Sequence, residues 1–364
     1  MVLAALCIGV IIVLLLITSS LGVEDILGDS VISSIPVGVL PQALIFNPSN
    51  NNIYVANRDS ETVSVIDSTN NTLIKNVTVG MSPQALIFNP SNNNIYVANH
   101  DSETVSVIDT TNNTLIKNVT VGSFPQQLLY NPSNNNIYVA NQISNSISVI
   151  DSQTNVVTNE IDVGYDPVDL EYNPSNNIIY VTNSGSETVS VINGTDNEAI
   201  GEIKVGSSPI SLALHPSNNK LYVTNRDSGT VSVIGTSNNM LLSTVQVNNE
   251  PTTIELNPSN NDIYVSNSGS RTVSVIDGLN STLISNVEVG SEPVDLLFNP
   301  TNNNMYVANV VSHSVSILDS KNNTVVDTVN VNSLPLALEF NPSNNGVYVA
   351  GTLTGTEGLV SVIG

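Results

Sequence analysis

The chain has 364 residues, 40% of them hydrophobic, with 31 acidic side chains against 8 basic ones and a net charge of −23. That balance excludes nucleic acid and anionic lipid surfaces as partners and favours cations or basic proteins. The hydrophobic share excludes a disordered chain. The single cysteine, Cys7, leaves the folded part without disulfide or thiolate chemistry.

In chain order, Val2 to Ile17 is a continuous apolar run, followed by Thr18, Ser19, Ser20, Leu21 and Gly22. Residues 1–22 read as an export signal with a cut near Gly22, although no Lys or Arg precedes the run. Counted through Val23, the same stretch reads as an uncleaved membrane anchor. Both readings place the remainder at the cell surface or outside the cell. Residues 23–30 form a linker, and Val31 to Val37 is a lone strand-like segment.

From there a motif recurs every 42 residues, beginning at Asn47, Asn89, Asn131, Asn173, His215, Asn257, Asn299 and Asn341. Fixed self-similarity at this length is the mark of a repeat architecture. Within one unit, Gln84–Phe88, Ile95–Ala98, Thr104–Ile108 and Ile116–Val121 are short β-branched and aromatic runs bounded by Gly, Pro, Asn or Asp. That punctuation predicts four strands, A to D, and no helix. Asn-Pro-Ser-Asn-Asn turns the chain between A and B, and Gly-x-x-Pro between D and A. Asn248 and Asn332 replace the turn glycine in two copies, which predicts a positive φ at that position.

Four short strands in about 40 residues, repeated, predict an all-β fold, a β-propeller of four-stranded antiparallel blades. The chain ends on a C strand, Leu359 to Ile363, and begins with the orphan strand Val31–Val37. Pairing the two completes the last blade, closes the ring over residues 31–364 and removes its open edges. Counted so, there are eight blades.

Tyr180-Val181-Thr182-Asn183 and Tyr222-Val223-Thr224-Asn225, with the Thr-Val-Ser-Val-Ile-Asp and Val-Gly-x-x-Pro pieces, resemble the YVTN β-propeller family. The resemblance implies an archaeal surface-layer or surface-antigen type of protein, exported to the cell envelope. Seven blades are common in that family, so seven is the alternative count.

Residues 47–80 and 89–122 differ only at Arg58 against His100 and Ser68 against Thr110. Copies this alike argue for a structural or recognition role, because catalysis needs distinct residues in distinct roles. The variation sits mostly in the B–C loops, which share one end of the ring with the D–A loops. Asp59, Asp101 and Asp227 are the polar contacts expected there, to cell-surface proteins, glycans or further copies in an envelope layer. Asp166, Glu250 and Glu292, just before the D–A prolines, are candidate oxygen ligands for a divalent cation at the channel mouth. They support the alternative, a propeller-type lactonase or lyase. The bland reading is solvated acid in an acidic protein.

His100, His215 and His313 fall at different repeat phases, which argues against haem or copper, and no cofactor is expected. Asn70, Asn76, Asn112, Asn118, Asn193, Asn280 and Asn322 are glycosylation acceptors by sequence, all in C–D loops or D strands.

Overall fold

The computed structural model describes residues 28–353 and 357–364, so the export or anchor segment lies outside the described residues. Among the described residues no helix is long and apolar enough to cross a membrane. The propeller occupies Val31–Gly364. Its first strand is β1 (Val31–Val37), followed by β2 (Pro41–Asn47), β3 (Asn52–Asn57), β4 (Thr62–Asp67) and β5 (Thr72–Thr78). The last four form blade 1 in the order β2-β3-β4-β5. Six further blades, β6 to β29, repeat this order over residues 83–330. The eighth sheet is β1-β32-β31-β30, from β30 (Leu334–Asn341), β31 (Gly346–Thr352) and β32 (Gly358–Ile363). The two ends of the propeller therefore share one blade, with Ile35 opposite Val360 and Val37 opposite Gly358. Eight blades and the N-terminal clasp are both as the repeat predicts.

Burial follows strand position. The B and C strands are covered on both faces: Ile53, Tyr54, Val55 and Ala56 are fully buried, as are Val63, Val65 and Ile66. Blades stacked face to face leave no solvated side, so these strands read as unbroken apolar runs rather than alternating ones. The outer D strands are mostly exposed, with one residue such as Val77 turned inward.

Two polar devices repeat through this core. At the end of the B strand in blades 1 to 7 stands a buried Asn, replaced by Gly351 in blade 8. In blade 1, Asn57 Nδ2 donates to Ser64 Oγ (2.8 Å), whose hydroxyl donates to Asn76 Oδ1 (2.7 Å). Blade 2 repeats the relay through Asn99, Ser106 and Asn118. The second device joins neighbouring blades. Tyr54 Oη donates to Asn113 Oδ1 of blade 2 (2.7 Å), Tyr96 to Asn155 (2.9 Å) and Tyr180 to Asn239 (2.7 Å). Buried tyrosines need a partner for the hydroxyl, and these find it in the next blade's C–D turn.

The D–A turn departs from expectation. Asn332 takes the positive φ expected of it, 56°, but neither Asn248 nor any of the turn glycines does; the only positive-φ glycine among the described residues is Gly229. The left-handed residue is instead the one before proline: Leu40, Ser82, Phe124, Asp166, Ser208, Glu250 and Glu292, all with φ between 52° and 59°. Glycine is needed for space. A Cβ on Gly38 would lie 2.6 Å from the Asn57 side chain, and one on Gly80 would lie 2.7 Å from that of Asn99. The turn is thus pressed against the buried Asn of the first relay.

Candidate functional site: the central channel and its loop face

The B–C and D–A loops are bonded together on one face of the ring. Arg58 N donates to Leu40 O (3.0 Å), Ser184 N to Asp166 O (2.9 Å), Ser268 N to Glu250 O (3.0 Å) and Val310 N to Glu292 O (3.0 Å). This explains the left-handed residues: their carbonyls turn to receive the neighbouring loop, and that bond holds a conformation otherwise unfavourable by about 1–2 kcal/mol.

Asp59, Asp101 and Asp227 lie exposed on this face, as expected. The D–A loop engages two of them: Ser82 Oγ donates to Asp101 (2.5 Å) and Ser208 Oγ to Asp227 (2.7 Å). The Ser82 hydroxyl, with His100 beside it, holds the Asp101 carboxyl below the usual range. His100 also stands edge-on to Phe124 of the following turn, with ring centroids 4.3 Å apart. Asp166, Glu250 and Glu292 sit in three separate D–A turns. Among the described residues no three His, Cys, Asp or Glu side chains come together as a group able to hold a metal ion.

The glycosylation acceptors divide into two kinds. Asn70 and Asn112 are exposed turn residues, whereas the Asn76 and Asn118 side chains accept the serine hydroxyls of the relay. Asn193, Asn280 and Asn322 donate to Asp196, Asp277 and Asp319 in their own turns.

The greater differentiation is inside the ring. The A strands line a cavity of about 490 Å³ with residues from seven blades. Blades 1 to 3 present Gln42, Gln84, Gln126 and Gln127; later blades present Asp169, Ser211, Thr253 and Asp295. Gln84 Nε2 donates to Gln126 Oε1 (2.6 Å), tying two blades across their seam. Four residues after the D–A proline, on the A strands of blades 4, 6 and 8, stand Glu171, Glu255 and Glu339. The side chains at this spacing share one face of the strand. Variation is therefore not mainly a matter of B–C loops, and the blades are more specialised than the identity of blades 1 and 2 suggests.

These acids have a structural task. An A strand is an edge strand, with backbone N–H groups that no neighbouring strand can take. Asp169 Oδ2 accepts the N–H of Leu212 in the next blade (3.0 Å), and its Oδ1 accepts its own Leu170 N–H (2.9 Å). Asp295 does the same for Leu338 (2.8 Å) and Leu296 (3.0 Å). Glu171 accepts from the Leu214 backbone and Glu339 from that of Phe46. Glu255, at the same phase in blade 6, has no hydrogen-bond partner; a neighbouring acid, Asp295, adds to its burden.

These five side chains are half-buried in the channel wall, and loss of hydration is the largest influence on their titration. Burial pushes Asp169 and Asp295 up to about 6, Glu339 to about 7, and Glu171 and Glu255 to about 8. Near neutral pH this wall is a partly protonated set that can gain or lose charge on binding.

Sequence reasoning passed over these acids because Asp and Glu in a half-exposed strand look like ordinary polar alternation. The signal was there in the eight copies: two residues after each D–A proline stand Ala43, Ala85, Gln127, Asp169, Ser211, Thr253, Asp295 and Ala337. The next position is Leu or Ile in every copy, yet this one takes Ala, Gln, Asp, Ser or Thr.

The profile of a YNCE-like beta-propeller family matches residues 88–184. No curated protein matches the chain. Among solved structures it is similar to Kuenenia stuttgartiensis hydrazine synthase, with TM-score 0.60 and 20% identity over 77% of this chain and 95% of that one. It is also similar to dihydro-heme d1 dehydrogenase NirN in complex with DHE, with TM-score 0.73 and 13% identity over 88% of this chain and 73% of that one. At such identities the likeness is one of fold. The chain is a β-propeller repeat protein.

Proposed function

We propose that this chain is a non-catalytic recognition propeller of the cell exterior, exported through its N-terminal segment and docking cell-surface proteins or glycans, or further copies in an envelope layer. The observation that carries this reading is the loop face itself. There a uniform frame holds B–C loops of varied sequence against rigid D–A turns, beside the opening of a channel whose wall differs from blade to blade. Variation on a fixed scaffold is how repeat proteins acquire partners, and a pre-formed surface avoids the ordering cost of binding.

The test is retention on isolated cell envelopes. A D59N/D101N/D227N variant should lose at least tenfold in binding, whereas E198Q/E202Q on the outer rim should bind as the parent does. Equal binding by both variants would remove the loop face from the proposal. The enzyme alternative, a lactonase or lyase with a cation held by Asp166, Glu250 and Glu292, makes a separate demand. Ca²⁺, Mg²⁺ or Mn²⁺ must raise the melting temperature, since a ligand bound only by the native state stabilises it.

A further inference from the structure

We propose that a groove between blades 6 and 7 is a sugar site that recognises an acetamido group, whose carbonyl oxygen takes the place of an acceptor that sister blades carry in their own outer strand. The inference rests on the recognition reading above, and it names the glycan chemistry that one edge of the loop face would take.

The groove has a volume of about 550 Å³, within the range of small-molecule sites. One wall ends the outer strand of blade 6, β25 (Thr282–Glu288). The other is a face of blade 7, where Ser314 and Ser316 on β28 (Ser314–Asp319) stand opposite Asn330 and Thr328 on β29 (Thr324–Asn330). Gly290, from a D–A turn, and Ser312, from a B–C loop, bring the groove to the loop face.

What points to a ligand is the fate of one hydroxyl followed from blade to blade. Ser64, Ser106 and Ser274 donate to Asn76, Asn118 and Asn286 across the strand pair, each at 2.7 Å. In blade 3 the acceptor is a carboxylate: Glu160 takes the hydroxyls of both Ser146 and Ser148, the latter at 2.8 Å. Blade 7 repeats those donors as Ser314 and Ser316, and repeats Val157 as Val325, but Thr328 stands where Glu160 does. Asn309 Nδ2 donates to Ser314 Oγ (3.5 Å) and Ser316 Oγ (3.0 Å), as Asn141 does to Ser146 and Ser148. The two hydroxyls are thus acceptors from Asn309, and no group among the described residues accepts their own protons.

Both serines line the groove and are more than nine-tenths buried, at 6% and 1% exposure. Buried donors left without acceptors are costly, so an oxygen arriving from outside is rewarded here. Blade 5 also carries Thr at this place, Thr244, but it keeps Thr230 and Leu241 where blade 7 has the smaller Ser314 and Val325.

The incoming acceptor is an amide rather than a carboxylate. Glu288 lines the same groove and the chain carries a net charge of −23, so a further negative group is repelled. An acetamido carbonyl offers the same planar acceptor as the Asn side chains of blades 1, 2 and 6. Around it, Glu288 accepts hydrogen bonds and Asn330 both accepts and donates them, which suits the hydroxyls of a sugar ring.

Calorimetry on the full chain with N-acetylglucosamine, glucose and glucuronate tests this. Saturable heat is expected with N-acetylglucosamine alone, and S316A should weaken it by about tenfold or more. Thr328→Asn gives blade 7 its own amide acceptor, so it should raise the melting temperature while abolishing sugar binding. That gain in stability separates a filled site from a misfolded variant. D59N/D101N/D227N should bind the sugar as the parent does. No saturable heat with N-acetylglucosamine at high millimolar concentration overturns this inference, and retention of the same parent on envelopes would then leave the recognition reading standing. Equal binding of glucose overturns the acetamido assignment, tighter binding of glucuronate overturns the neutral acceptor, and unchanged sugar binding by T328N overturns the site.

Discussion

Glu339, on the innermost strand of the last blade, accepts the backbone N–H of Phe46 in the first at 3.0 Å, joining residues 293 positions apart. This is one of several bonds on the seam where the ring closes. Tyr348 Oη donates to Asn71 Oδ1 (2.6 Å) and Asn344 Nδ2 to Ser68 O (2.9 Å) across the same boundary. Closure is thus secured at the inner wall and in the body of the blade, in addition to the strand pairing of β1 with β32.

Removing β1 tests that closure. Deleting residues 31–37 withdraws the buried Ile35 and uncovers the edge of β32. The loss should be about 3 kcal/mol or more, seen as a lower thermal midpoint. A truncated protein that melts with the parent would show that the clasp contributes nothing.

The tyrosine staples give a cleaner single-site measurement. Tyr96→Phe removes a hydroxyl that donates to Asn155 and leaves that Asn oxygen unpaired within the blade interface. A cost of about 1–2 kcal/mol is expected from the urea midpoint. Tyr165→Phe, on an exposed side chain, should leave it unchanged.

Glycine spacing is tested by contrast. Gly80→Ala forces a methyl against Asn99 and Ser102 and should cost about 1–3 kcal/mol. Gly201→Ala sits on an exposed D strand with nothing within 4 Å, and should be neutral or slightly stabilising. Equal effects at both would mean that the turn glycine is not there for space.

The channel acids set the pH dependence. Asp169, Glu171, Glu255, Asp295 and Glu339 have folded-state pKa values raised to between about 6 and about 8. A raised carboxyl binds protons more tightly in the folded state, so its contribution is greatest below the unfolded value and is lost as pH rises through the folded one. The melting temperature should therefore climb by on the order of 5 °C between pH 8 and pH 5. Buried His215 opposes part of this gain below about pH 6.5, because desolvation lowers its pKa and protonation must be forced. E171Q/E255Q/E339Q should flatten the profile; a parent profile that is already flat would sink the assignment.

Much of the fold was legible in the sequence because its determinants are local and repeated. The 42-residue period, the β-branched runs and the orphan strand at residues 31–37 each specify geometry within a few residues. The φ assignment at the D–A glycine failed for a different reason. Asn248 and Asn332 in its place suggested a left-handed residue; Asn332 is one, at φ 56°, but Asn248 is not and donates to Thr272 Oγ1 (2.8 Å). The constraint on glycine comes from Asn57 and its equivalents, 19 residues away in sequence, and no local pattern shows it. The channel acids were hidden likewise: what sets Glu171 apart from Glu202 is the ring around it, which exists only after closure.

The pairing of β1 with β32 also fixes an order of events. The leading segment keeps a free edge until the final one arrives to pair with it. Anything that delays the trailing end leaves a sticky ribbon exposed, available to the trailing strand of a neighbouring molecule. Exchange of that single ribbon between two chains would link them without a new interface, and crowding during synthesis would decide how often it happens.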